Sequence, residues 1–203
     1  MGYLLPTEYV GYGLAAETSD DWVTMASALV EAQCRRPSLM AQQYTERLRI
    51  TAGAQTARLS YGPLAPGALI SANVRYARPR RGELEGIGFQ AQIATAFGLP
   101  GAWTTLDVAT IDVDCGAREL TFPTNFLGIA YNEAEITYTA GFVTVPVAIK
   151  IACAQIVKNA QATPALNVKS SRMDTMQMQY FSGSLIDPQV EMLLKPYRAE
   201  KLG

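Results

Sequence analysis

The residues best spaced to do chemistry in this chain are three carboxylates, Asp107, Asp112 and Asp114. Asp112 and Asp114 lie two apart and would share one face of a strand. Two such acids can bind a hard cation through their oxygens. They lack the glycine-containing loop and the further ligands of a calcium site, so they read as an exposed strand face. Histidine is absent from all 203 residues, which removes the commonest general base and the commonest metal ligand. Serines and lysines occur, but nothing sets one as nucleophile beside another as base. The glycines between Gly82 and Gly101 contain no G-x-x-x-x-G-K-[ST] run and so form no phosphate loop. Cys34, Cys115 and Cys153 are far apart and free of C-x-x-C spacing. They read as reduced thiols, with Cys34 and Cys153 as small core fillers. No catalytic residue, cofactor or metal is expected.

The one basic cluster is Arg78-Pro79-Arg80-Arg81, with Arg75 close by and Glu83 and Glu85 near enough to balance it. Arg78, Arg80 and Arg81 are candidates for contact with a partner, and a solvated loop is the alternative. With 17 basic and 18 acidic residues the net charge is -1, which argues against a dedicated nucleic-acid binder. Apolar residues make up 49% and charged residues 17%, so apolar surface is left for something to cover and self-association is expected. No stretch approaches the roughly 20 apolar residues of a membrane span. The start, Met1-Gly2-Tyr3-Leu4-Leu5-Pro6, lacks the basic residues and long apolar run of a secretion signal. The expectation is a cytosolic chain with no membrane partner.

The elements that would position these residues can be read from period and punctuation. Thr18-Ser19-Asp20-Asp21 suits a helix start, with Trp22, Val23, Ala26, Leu29 and Val30 on one face and Arg35-Arg36-Pro37 as a stop. From Tyr44 the period is two, and Ala57 to Tyr61 reads as its hairpin partner across Ala52-Gly53-Ala54. Leu69 to Ala77 predicts another strand. Arg78 to Thr105 has no clean period and is longer than an ordinary connection. Strands are predicted at Asp107 to Asp114, Glu119 to Phe122, Leu127 to Tyr131 and Ala134 to Thr139. Pro146 opens a helix through Val147, Ile149, Ile151, Ala152, Cys153, Ile156 and Val157, apolar around most of its circumference and so buried or covered by a neighbouring subunit. Gln161 to Gly183, with Met173, Met176 and Met178, reads as an arm that orders on contact. Asp187 and Pro188 start a last short helix, with Val190, Leu193 and Leu194 on one face until Pro196.

Three passages together resemble one family, the head-to-tail connector or adaptor proteins of long-tailed bacteriophages and the matching proteins of gene-transfer-agent particles. They are Tyr44-Thr45-Glu46-Arg47; Ala134-Glu135-Ile136-Thr137-Tyr138-Thr139-Ala140-Gly141-Phe142 running through Val145-Pro146; and Pro188-x-Val190-x-x-Leu193-Leu194-x-Pro196-Tyr197-Arg198. The resemblance covers about two thirds of the chain, and leaves out the first ten residues and the Arg78 to Thr105 excursion.

The resemblance implies an α+β fold in a single adaptor domain, 1–203. A small helical bundle from both chain ends (17–36 and 144–197) would carry a β-rich antiparallel insertion (41–141), an arm (161–184) and a C-terminal tail (197–203). Copies would form a ring, twelvefold by analogy, on the portal protein at the neck between capsid and tail. Stopper or tail proteins would meet it, and double-stranded DNA would pass through without sequence-specific binding. Assembly would take place in the host cytoplasm. Tyr197, Arg198, Lys201 and Leu202 map onto the portal-contacting tail. Met173, Met176, Met178 and Tyr180 in the arm, with Ile156 on the long helix, are the subunit-contact candidates; packing of the arm on its own chain is the alternative. Arg78, Arg80 and Arg81 are the channel candidates, and their neighbouring acids suit a conduit that must not grip DNA. The rivals are another neck component, such as a stopper or tail-completion protein, and a small ligand- or metal-binding domain using Asp112 and Asp114.

Overall fold

The computed structural model describes residues 2–51, 53–77, 98, 100–162, 170–173, 176–179 and 185–199, with 170–173 and 176–179 described by backbone alone. It is a mixed α+β chain with antiparallel sheets and, among the described residues, three α-helices. The chain divides into two compact units. One takes the described residues of Met1–Leu39 and Val143–Ala199, and the other those of Met40–Phe142.

The first unit holds α1 (Asp20–Cys34), α2 (Val147–Ala162) and α3 (Pro188–Leu194), with α1 and α3 both packed on α2. Both predicted caps are formed: Ser19 Oγ accepts from the Asp21 amide at 3.3 Å, and Asp187 Oδ1 from the Val190 amide at 2.7 Å. The buried face of α1 is Val23, Ala26, Ser27, Val30 and Cys34, whereas Trp22 is exposed and Leu29 half-buried. Val23, Ala26, Val30 and Cys34 follow one another at spacings of three, four and four, with Ser27 beside them. The N-terminal segment closes over it. Tyr3 donates its hydroxyl to Glu31 at 2.7 Å and receives the Leu39 amide at 2.9 Å, and Tyr9 donates to Asp20 at 2.6 Å. Cys34 and Cys153 are fully buried, and burial pushes their thiols up to about 11 and about 12, so both remain protonated and unreactive. No described helix is long and apolar enough to cross a membrane.

The second unit is built on a four-stranded sheet in the order β1-β7-β3-β4, from β1 (Gln42–Arg49), β3 (Leu64–Arg75), β4 (Thr104–Leu106) and β7 (Glu133–Ala140). A smaller sheet, β2-β6-β5, comprises β2 (Thr56–Arg58), β5 (Asp112–Asp114) and β6 (Glu119–Thr121). The expected hairpin of Tyr44–Ile50 with Ala57–Tyr61 is not formed. β1 pairs with β7, setting Tyr44 opposite Tyr138 and Leu48 opposite Ala134, and β2 pairs with β6. The apolar face of β1 needs an apolar strand beside it, and Ala134, Ile136, Tyr138 and Ala140, all buried, supply one.

Two other predicted strands are also interrupted, each by a side chain that takes a ladder donor. Asp107 Oδ1 accepts from the Ala109 amide at 3.0 Å and turns Val108–Thr110 into a 3-10 turn between β4 and β5. Asn125 Oδ1 accepts from the amides of Leu127 and Ile129 at 2.8 and 2.9 Å, so 125–129 is a turn.

The strand-to-helix passage behaves as its glycine requires. Gly141 has φ +126°, and a Cβ there would sit 2.5 Å from the Met40 carbonyl oxygen. The corner therefore accepts only glycine without displacing the Met40 backbone. Beyond α2 the arm region contains a short antiparallel pair, β8 (Ser170–Met173) with β9 (Met176–Gln179).

Ile156 is fully buried within its own unit. Replacing it with Asp should abolish the folded state, since an unpaired charge there costs more than about 4 kcal/mol. Circular dichroism and soluble yield decide this, and a native spectrum for Ile156→Asp would contradict it.

Candidate interaction surfaces

The polar face of the four-stranded sheet is set by alternation. Thr45, Arg47 and Arg49 on β1, Glu133, Glu135 and Thr137 on β7, and Ser71, Asn73 and Arg75 on β3 come side by side through the pairing register. Glu133 is the exception on this polar face, because its side chain is only 7% exposed. Arg49 and Arg75 lie directly across from it and Arg47 lies diagonally. Arg47 grips both carboxylate oxygens, through Nε at 2.9 Å and Nη2 at 3.0 Å, while Arg75 Nε donates at 2.6 Å and Arg49 Nε lies 3.9 Å away. Burial alone would push the Glu133 carboxyl up, but hydrogen bonds from Arg47 and Arg75 outweigh it and hold the group below the ordinary carboxylate range. Trp103 caps the cluster, its ring 4.3 Å from the Arg75 guanidinium carbon and 5.5 Å from that of Arg47. The result is a partly exposed tryptophan held in place by two cations that a buried carboxylate holds in turn.

Apolar surface is uncovered in each unit. Phe126 is 94% exposed and Leu127 is exposed beside it. Their turn is held by the two Asn125 side-chain bonds, by the Asn125 amide donating to the Ile129 carbonyl at 3.0 Å, and by Gly128, at φ +73°, donating to the Asn125 carbonyl at 2.9 Å. Ile129 is buried, and its carbonyl accepts from the Tyr76 hydroxyl at 3.2 Å, which fixes the base of the turn. In the other unit Val147 and Ile151, one turn apart on α2, are exposed, as is Val143 before the helix.

The sequence-predicted residues fall differently. Ile156 lies in the interior of its own unit and has no surface to offer a second copy; Ile151, on the exposed side of α2, has. Tyr197 lies in the turn after α3, and Arg198 donates to Glu191 at 2.8 Å. The next residue, Ala199, is buried and its amide bonds the Cys34 carbonyl at 2.8 Å. The backbones of Met173, Met176 and Met178 lie in β8 and β9. Their side chains, and the whole of Tyr180, Lys201, Leu202, Arg78, Arg80 and Arg81, lie outside the described residues.

Asp112 and Asp114 share the exposed face of β5, as alternation predicts. Asp114 is engaged with the Gly116 and Ala117 amides at 2.8 and 2.9 Å, and Asp107 caps its own turn. Among the described residues no three His, Cys, Asp or Glu side chains are grouped to hold a metal. Sequence pattern did not single out Glu133, Trp103 or Phe126. For Phe126 a signal existed: Asn125 followed three residues later by Gly128 is turn chemistry, and it places two apolar residues at the turn's tip.

No family model matches this chain, and no curated protein matches it.

Glu133 yields a pH prediction. A carboxyl lowered in the folded state contributes stability that is present above its unfolded pKa and lost as pH falls through its folded one. Wild-type stability should therefore decline below about pH 4. Glu133→Gln should lose about 2 to 4 kcal/mol at neutral pH, less than a fully buried pair because Arg47 is half in water, and should show a flatter acid limb. Urea titrations from neutral to acid pH check both, and an unchanged acid limb in the variant would contradict the assignment.

Proposed function

We propose that this chain is a structural virion protein: a head-to-tail adaptor that assembles as a ring on the portal, connects capsid to tail and leaves a channel for duplex DNA. In this reading the three helices form a small bundle that serves as the adaptor core, and 40–142 is its β-rich insertion. Its work is done by interfaces and involves no chemical step.

The observation that carries the assembling role is apolar surface that the chain's own fold does not cover, at Phe126 and Leu127 and at Val147 and Ile151. Apolar side chains left in water at these places leave surface that another chain could cover. The adaptor role in particular is supported by the three passages that resemble connector proteins. They fall on ordered elements: Tyr44–Arg47 lies within β1, Ala134–Phe142 takes in most of β7 and the glycine corner, and Pro188–Arg198 is α3 with its closing turn.

The test is the mass of the purified chain by light scattering, alone and mixed with the portal of the same particle. A ring, or a portal complex of matching stoichiometry, is expected. A strict monomer that ignores the portal would overturn the proposal and return attention to Asp112 and Asp114.

A further inference from the structure

We infer that the open edge of β1 takes up an extended acidic segment of another protein as an added strand, with one of its carboxylates seated on Arg47. The inference goes beyond the adaptor reading and does not depend on it.

The edge follows from the pairing. Ile50 donates its amide to the Asn132 carbonyl at 3.1 Å, so in this antiparallel ladder the even-numbered residues of β1 bond to β7. Gln43, Thr45 and Arg47 therefore turn their amides and carbonyls to the other side, where no strand is paired with them among the described residues. β2 begins on that side, through the Thr51–Thr56 bridge, but leaves at once to pair with β6. Of the sheet's two edge strands β1 has eight residues and β4 three, so β1 offers the longer template. Gln43, Thr45 and Arg47 are all exposed.

Charge selects the occupant of this edge. On the polar face Arg47, Arg49 and Arg75 meet two carboxylates, Glu133 and Glu135, which leaves one positive charge over. Arg47 commits Nε and Nη2 to Glu133, while Nη1 donates to no described residue and the side chain is 54% exposed. Glu133 and the Trp103 ring hold this guanidinium before any partner arrives, so docking costs it little further ordering. A carboxylate opposite Arg47 on an added strand lies within reach of a charge-assisted bond. A second β1 edge does not suit, because it would bring Arg47 and Arg49 against their own copies. A phosphodiester chain brings the negative charge but no amides and carbonyls to continue the ladder, which leaves an acidic polypeptide.

The experiment uses the full chain and a fluorescein-labelled (Thr-Glu)4 peptide, matched in length to β1. Polarisation should show saturable binding below about 1 mM, and hydrogen exchange should slow at the amides of Gln43, Thr45 and Arg47. The (Thr-Lys)4 peptide should not bind. Methylating the backbone nitrogens of (Thr-Glu)4 keeps its charge and removes its main-chain donors, and should weaken binding about tenfold or more. Arg47→Gln, its fold checked by circular dichroism, should weaken binding by about the same factor. Undiminished binding of the methylated peptide to the wild-type chain would overturn strand addition whether or not the variant folds. Equal binding of (Thr-Lys)4 would overturn the choice of an acidic partner. An oligothymidylate that displaces (Thr-Glu)4 and depends equally on Arg47 would overturn it in favour of phosphate. No saturable binding of (Thr-Glu)4 up to about 10 mM would overturn the inference outright.

Discussion

A carboxylate held almost out of water on the central strand of a sheet is the constraint around which the larger unit is arranged. Glu133 cannot stay ionised there without its arginines, and they come from strands on both sides, Arg47 and Arg49 from β1 and Arg75 from β3. The three strands are thereby tied at one end in one register. A one-residue slip of β1 would carry Arg47 and Arg49 to the opposite face, and one of β3 would carry Arg75 there, each leaving the carboxylate short of partners. The same register turns Tyr44, Ile136, Tyr138 and Val74 inward, so the ionic cluster and the apolar core specify one another across the sheet. On the core side the Tyr138 hydroxyl donates to Glu46 at 2.6 Å, and burial followed by that carboxylate pushes its pKa far up.

Local features were legible in the sequence and pairings were not. Ser19 and Asp187 announce helix starts because a cap bonds within three residues, and Gly141 announces a corner because the reason lies in its own backbone. The alternation of Tyr44 to Ile50 correctly gives a strand with one buried face. It says nothing of which strand lies beside it, and β7, more than eighty residues on, displaced the nearer candidate. Asp107 acts through one side-chain bond to a nearby amide and Asn125 through two, and a periodicity count registers neither.

The interaction surfaces divide the same way. An apolar helix such as α2 is recognisable from composition, but composition does not tell which of its residues face inward; Ile156 is in the core and Ile151, five residues before it, is not. The cluster of Glu133, three arginines and Trp103 draws on residues from 47 to 133, and only the fold brings them together. Charge is spent internally at this cluster and at Glu191 with Arg198, while apolar surface at Phe126 and on α2 is left unspent.

In the proposed assembly, uncovered apolar surfaces close copies of the chain into a ring on the portal. Electron micrographs of the chain assembled with that portal test it most directly. Averaged end views should show a closed annulus with rotational symmetry and a central channel coaxial with the portal. Single copies scattered on the portal, or open filaments with no closed annulus, would contradict the account.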